Sequence, residues 1–415
     1  MNHSLKEEIK QVKLFSGFKL FYFVMLFFPS ITFGLLKAEI FPWAIIGIFW
    51  YFKKYSKNFV YVIVYFIISW IISLLINGPT DSIRSLASYM NTLYAFAFMV
   101  TISQLEVMKL IKLVKIIFVF SLTLGLFQYL NLIDFAEDFI RLIIPRGSSV
   151  SSIESNRGVR LLSSEPARAG NELIFLYILV RYVYIKINHR LLSDVFFALY
   201  ILVIIQSFMA FAFLAFFLIL NIKLKSLIIF LLSSLIFIYY GLTFSSGRSV
   251  DLIANVIELN NWREILFLFV NSSGNRLITI YSSFIYGIYF PFGSGLGNWL
   301  NGSIEAIKMS GIDVSNYSYY STLGNGNIVG SRSSGFLSNL ILETGVIGFL
   351  FIMRYILNVL KKYWDISRDS KIVIVSFLFK IFFIGSVGHP IAWIIVILIL
   401  KYMYIENNRL KLFLS

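Results

Sequence analysis

Cysteine is absent from the 415 residues. That excludes disulfides, thiolate nucleophiles and cysteine-held metal sites. Histidine is nearly absent as well: His3, His189 and His389 lie far apart, and no histidine-based metal centre is expected from them. Charge is scarce, at 14% of residues, against about 25% in a soluble domain. Acidic charge is the scarcest, with 21 Asp and Glu against 36 Lys and Arg. The opening MNHSLKEEIKQVKLFSGFKL has no small-residue cleavage site before the first apolar run. It reads as a cytosolic lead-in to a retained helix rather than a cleaved signal.

What fills the chain is apolar: 58% hydrophobic residues, 43 Phe and a mean hydropathy of +0.81. The length would allow two or three soluble domains, but this pool cannot supply their water-facing surfaces. The expected fold is all-α, a single polytopic integral membrane domain over 1–415 in which each span uses roughly 20 apolar residues. Apolar runs predict about 12 transmembrane helices. They fall near 18–36, 39–52, 58–77, 84–104, 107–130, 172–188, 192–206, 207–222, 226–244, 335–360, 371–386 and 389–405. The stretch 192–222 has the alternative reading of one long broken span instead of two.

Lysine sets the expected orientation. Lys53, Lys54 and Lys57, then Lys109, Lys112 and Lys115, Lys186 with Arg190, Lys223 with Lys225, and Lys361, Lys362, Arg368 and Lys371 share one side of this topology. The positive-inside rule makes that side the cytoplasm. Both termini fall there too. Two long segments, 131–171 and 245–334, then face outward and are expected to contain amphipathic helices. They carry ten basic and ten acidic residues, so the formal +15 of the chain lies elsewhere. That excess suits anionic lipid head groups and argues against nucleic acid as a partner.

The outer segments differ in kind as well as balance. Nine of their ten cations are Arg, whereas six of the other twenty-six are. Orientation needs only Lys; a planar fork is needed where phosphate or carboxylate must be held by two parallel bonds. The set therefore points to a phosphate-rich ligand, although any single Arg can equally be an ion-pair partner that folds a loop.

Three stretches concentrate this chemistry. In RGVRLLSSEPARAG, Arg157, Arg160 and Arg168 surround Glu165 and Pro166 at the start of a helix. Pro suits a first helical position, and the positive helix end favours anions. Glu165 reads either as a helix cap paired to Arg or as a working carboxylate. In NRLITIYSSFIYGIYFPFGSGLGN, Arg276 opens an amphipathic run whose Ile278, Phe284, Ile285 and Ile288 suit a helix at the membrane surface. Gly293, Gly295 and Gly297 follow in a G-x-G-x-G spacing that is not a dinucleotide fingerprint; they form a turn or let backbone amides approach a ligand. In SRSSGFLSNLILETGVIGFL, Arg332 stands at the outer mouth of a span and Glu343 about two turns inside it. An ionisable residue at that depth is a functional candidate or a buried ion-pair partner. His389, in the GHP of a short outer loop, reads as a turn residue, and Arg248 opens the second outer segment.

At these residues the chain resembles the bacterial Wzy-type O-antigen polymerase and O-antigen ligase superfamily, over most of 150 to 350. Family polymerases carry an outer-loop Arg and Gly with ten residues between them, a spacing that Arg276 and Gly287 match. Arg160 and Gly170 are one residue too close, so the motif is not carried over there. Ligases place a His about nine residues before the Glu-x-Gly of an E-T-G-x-x-G stretch. Glu343, Gly345 and Gly348 match that stretch, but Ser334 stands at the His position, which makes the ligase the alternative.

The resemblance implies an inverting, metal-independent glycosyl transfer on the outer face of the inner membrane. A growing chain would leave its undecaprenyl diphosphate and join the terminal hydroxyl of a new repeat unit, in O-antigen or capsule. A chain-length regulator and a repeat-unit flippase are the implied partners, and no cofactor is required. A departing diphosphate needs preorganised cations, for which Arg157, Arg160, Arg168, Arg248, Arg276 and Arg332 are candidates. The attacking hydroxyl needs a positioned base, for which Glu165 is the leading candidate and Glu343 the next. A flippase or transporter would use similar Arg without chemistry. Such proteins usually show internal repeats, and none is apparent.

Overall fold

The computed structural model describes residues 12–32, 40–47, 56–77, 82–132, 140, 143–144, 158–221, 261–272, 275–384 and 387–414. Among them there are helices and turns and no strand. In chain order the α-helices are α1 (Gly17–Phe27), α2 (Trp43–Ile46), α3 (Lys57–Asn77), α4 (Ser82–Thr101), α5 (Gln104–Tyr129), α6 (Pro166–Val183), α7 (Arg190–Tyr200) and α8 (Phe208–Asn221). After them come α9 (Trp262–Ser272), α10 (Arg276–Tyr289), α11 (Trp299–Ser310), α12 (Ser318–Gly324), α13 (Phe336–Trp364), α14 (Arg368–Phe383) and α15 (Ile391–Leu414).

Among the described residues five stretches are long and apolar enough to cross a membrane: Lys57–Leu75, Gln104–Tyr129, Ile187–Ile205, Phe336–Trp364 and Ile391–Asn408. Of the other expected spans, 226–244 lies outside the described residues, as do residues 39 and 48–52 of the span expected at 39–52. The stretch 192–222 is resolved as two segments. A π-turn over Ile201–Ile205 extends α7, and Gln206 then adopts a left-handed conformation (φ 52°) that breaks the helix before α8.

Helix α6 shows why hydropathy alone is an incomplete guide. Arg168, Glu172 and Arg181 lower its average, yet nearly every residue from Ala169 to Val183 is buried. It packs against α5, α8 and α15, and α15 is buried from Ile391 to Leu400. A helix that is apolar all round belongs in an interior.

The two ends of the helices differ in chemistry. At one end Lys112 donates to the Val12 carbonyl at 2.9 Å, Lys401 to the Ile102 carbonyl at 2.7 Å, and Lys371 pairs with Asp365 at 3.5 Å. Lys115 lies over the Tyr184 ring there. At the opposite end the N-termini of α6, α10, α13 and α15 converge.

One buried ion pair ties the α6–α7–α8 hairpin together near the lysine end. Arg181 donates to both oxygens of Asp194, at 2.7 and 2.9 Å, and to Asn221 Oδ1 at 3.2 Å; Tyr182 donates to the same Asn221 oxygen at 2.7 Å. Arg181 is 5% exposed and Asp194 1%. Removing one partner leaves the other charge buried and uncompensated, which costs about 3–5 kcal/mol. Asp194→Ala is thus expected to lower the thermal midpoint of the detergent-purified protein sharply. The double replacement Arg181→Leu with Asp194→Leu should recover much of that loss. Equal midpoints for wild type and Asp194→Ala would show that the pair does not hold the hairpin.

The other device of the fold is an interlock between a broken helix and a glycine loop. Inside α13, Gly345 departs from helical geometry at φ 67°, ψ −174°. A break of this kind leaves carbonyls without their helical donors. The loop 291–297 supplies replacements: Ser294 N–H donates to the Leu342 carbonyl at 2.8 Å and Gly295 N–H to the Glu343 carbonyl at 3.0 Å. In return Ile347 N–H donates to the Pro291 carbonyl at 3.3 Å. Gly293, Gly295 and Gly297 all have positive φ. The G-x-G-x-G stretch is therefore a turn whose amides approach the chain's own backbone.

Helix α10 is present where expected, with its packing face rotated from the anticipated stripe. Ile278, Thr279, Ser282, Ser283, Tyr286 and Gly287 are buried, Phe284 and Ile285 are half-buried, and Ile288 is 64% exposed. Small residues explain the rotation, because they let backbones approach closely. A Cβ at Gly287 would meet the Ile341 side chain at 2.4 Å and its carbonyl oxygen at 2.6 Å.

Candidate functional site

A cavity of about 440 Å³ opens where the four helix N-termini meet. Glu165 and Ala167 reach it from the start of α6, Asn275 and Arg276 from α10, Ser333 and Ser334 from α13, and His389 with Ile391 from α15. Unpaired N–H groups and the helix dipole give each such end a partial positive charge. Side chains add to it. Arg84, Arg168, Arg276, Arg332 and Lys380 line the cavity, five cations against the two carboxylates of Glu165 and Glu172. Its other wall is apolar, with Phe175, Met209, Ile381, Ile384 and Trp393. Such a chamber suits an anionic group attached to a greasy one.

Each charged group is held in a distinct way. Arg168 donates to Ser164 Oγ at 2.7 Å, across the first turn of α6. Glu165 occupies the N-cap position of α6 and Pro166 its first turn, but the Glu165 side chain makes no capping hydrogen bond. Its carboxylate is instead 49% exposed and stands 3.9 Å from the Arg276 guanidinium, which is 28% exposed. The neighbouring Asn275 side chain bonds Ser331 across the loop.

Arg332 is shared between cavity and core. Its Nη2 donates to Ser85 Oγ at 2.5 Å and lies 3.7 Å from Glu343 Oε1, and the guanidinium lies over the Trp299 ring at 5.5 Å. Ser85 Oγ donates in turn to Glu343 at 3.3 Å. Glu343 is fully buried two residues before the Gly345 break and does not line the cavity. It holds Arg332 in place from behind.

The cavity wall also carries a pair formed across the bundle. His389 Nε2 lies 2.5 Å from Glu172 Oε1, and Ser163 Oγ donates to the same oxygen at 3.2 Å. His389 is 12% exposed and Glu172 11%. Burial pushes the His389 imidazole below its ordinary value of 6.5; Glu172 opposes that shift, while Arg168 and Lys380 reinforce it. Lys380 is 7% exposed, donates to the Ile384 carbonyl at 3.2 Å and sits over the Phe175 and Phe213 rings.

The structure thus brings together Glu165, Arg168, Arg276, Arg332 and His389 from the expected set. Arg160 is buried in the segment before α6, away from the cavity lining. Arg157 and Arg248 lie outside the described residues. His389 is a cavity residue rather than only a turn residue, because Gly388 (φ 95°) turns the chain so that its ring meets α6. Arg84, Glu172 and Lys380 were not anticipated. A signal existed for Lys380, a lone charge within the apolar FLFKIFF, and for Glu172, two turns after Glu165 on the same helix face. Among the described residues no group of three His, Cys, Asp or Glu side chains is arranged to hold a metal ion.

Comparison with protein-family models, curated proteins and solved structures returns no match. Over the described residues the chain is helical, with helices long and apolar enough to cross a membrane and a cationic cavity at one end of the bundle.

Proposed function

We propose that the chain is a polysaccharide polymerase. It joins undecaprenyl-diphosphate-linked oligosaccharide units at the outer face of a bacterial inner membrane, with the lysine end of the bundle in the cytoplasm. The observation that carries this reading is the cavity itself, where four Arg, one Lys and four helix N-termini meet beside an apolar wall. A lipid diphosphate matches both parts of it. The Arg forks and helix ends would hold the diphosphate and stabilise the charge that develops as it departs, and the apolar wall suits the first isoprene units. The acceptor hydroxyl then attacks the anomeric carbon from the face opposite the leaving diphosphate, which inverts that centre.

An O-antigen ligase would use the same donor with a different acceptor. The presence of His389 in the cavity keeps that alternative, since Ser334, which occupies the ligase His position, also lines the cavity. A flippase would bind the same lipid without chemistry.

The test is reconstitution. Lipid-linked oligosaccharide extracted from cells lacking this gene is given to the purified protein in lipid vesicles, without nucleotide. A ladder of longer lipid-linked glycans is the expected product. Movement of the intact lipid across the bilayer with no ladder would assign the chain to the flippases. Transfer only to an added lipid A-core acceptor would assign it to the ligases.

A further inference from the structure

We propose that His389 is the base that takes the proton of the acceptor hydroxyl, and that Glu172 is the positioning residue that holds its ring. The proposal rests on the polymerase reading and deepens it. It replaces Glu165, the carboxylate singled out in the sequence.

Three carboxylates stand near the cavity, and geometry separates them. Glu165 is at the rim, 49% exposed and beside the Arg276 guanidinium. A proton acceptor is more effective inside the chamber, where the reacting hydroxyl is shielded from bulk water. Glu343 is fully buried, engaged with Ser85 and Arg332, and absent from the cavity wall. Glu172 lines the cavity, but its Oε1 is occupied by His389 and Ser163. The group presented beyond that pair is the imidazole.

The pairing has a definite chemical consequence. With Nε2–H directed at the Glu172 carboxylate, Nδ1 carries the lone pair, and the tautomer is fixed by the partner. The same logic orients the His of a nucleophile-activating triad. The groups facing His389 are Glu172 and Arg168 from α6 and Lys380 from α14. Burial and the two cations favour the neutral ring, which is the form that accepts a proton, and Glu172 then stabilises the imidazolium that results.

The step balances without a further reactant. The hydroxyl proton moves to Nδ1 as the acceptor oxygen bonds to the anomeric carbon. The bond from that carbon to the diphosphate oxygen breaks, and its electron pair leaves on the diphosphate, opposite the Arg side chains. The imidazolium returns its proton to solvent after the lipid diphosphate departs.

Chemical rescue and pH dependence test the assignment, with the extracted lipid-linked oligosaccharide as substrate. His389→Ala is expected to lower kcat by ~100-fold or more with little change in KM. Added imidazole should restore part of that loss, which it would not do for a structural residue. In the wild type, kcat/KM should fall on the acid side with a midpoint below 6.5. Glu172→Gln removes the anion that favours the protonated ring, so its acid midpoint should move lower still, with kcat reduced. A normal rate from His389→Ala would overturn the proposal. So would a loss that imidazole cannot restore, or an acid limb unmoved by Glu172→Gln. A wild type that forms no ladder would overturn the polymerase reading itself, and this inference with it.

Discussion

Arg276→Lys is expected to slow ladder formation by ~100-fold or more while the protein accumulates normally in the membrane. Arg276 opens α10, lines the cavity and has no buried ion-pair partner to lose, since Glu165 opposite is half exposed at 3.9 Å. Lysine keeps the positive charge. It lacks the planar fork that offers two parallel donors to a phosphate. If transition-state stabilisation depends on donors placed before the reaction, loss of one donor set costs on the order of 10²–10³ in kcat. Arg263→Lys provides the control, because Arg263 is exposed on α9 and outside the cavity lining. Its rate should be unchanged. Equal rates for wild type and Arg276→Lys would mean that the cavity uses charge alone.

The second large effect is expected at Gly345. A Cβ there would lie 2.0 Å from the Pro291 carbonyl oxygen and 2.5 Å from the Gly293 nitrogen. Both are backbone atoms and cannot swing aside. The conformation itself, φ 67° with ψ −174°, belongs to a region populated essentially by glycine. Strain of about 1–3 kcal/mol therefore adds to a clash that would part the loop 291–297 from the broken helix. Gly345→Ala should abolish activity and lower the thermal midpoint by many degrees. Gly311→Ala is the matched comparison. Gly311 also has positive φ, at +68°, but nothing lies within 4 Å of its added Cβ. It should cost only about 1–2 kcal/mol and leave activity intact. Similar losses at both positions would show that backbone conformation matters and the interlock does not.

The two glycines mark the boundary of what was legible beforehand. The positions of α3 to α5 and of α13 to α15 follow from their apolar runs, whereas the charges of α6 blur its start. The Arg set at α6, α10 and α13 was also visible, since Arg168, Arg276 and Arg332 each stand beside a helix start. The partners of these groups were not. Glycines at 293, 295 and 297 announce a turn, but only the fold reveals that the turn completes the hydrogen bonding of a broken helix. Glu343 was marked by its depth, yet its attachment to Arg332 runs through Ser85 on α4, 258 positions away. The pairing of Glu172 with His389 spans 217 positions. No periodicity or local motif encodes a contact of that range. The break at Gln206, by contrast, falls at the boundary between the spans expected at 192–206 and 207–222.

The polar network behind Arg332 has a further meaning for the mechanism. A buried carboxylate with one guanidinium fixes that guanidinium at the cavity wall before substrate arrives, and Trp299 restrains its other face. Rigid placement is what makes a donor effective in a transition state, since no reorganisation is needed when charge appears. Arg276 has the longer contact, 3.9 Å to the half-exposed Glu165.

The central claim is that the cavity holds the diphosphate of a lipid-linked glycan. It is tested most directly by the structure of the purified protein in lipid with undecaprenyl diphosphate bound. The account predicts both phosphates inside the cavity, in contact with Arg168, Arg276 and Arg332, with the isoprene chain along Ile381 and Ile384. Phosphates bound at the lysine end of the bundle, or the lipid seated with its diphosphate outside the cavity, would contradict it.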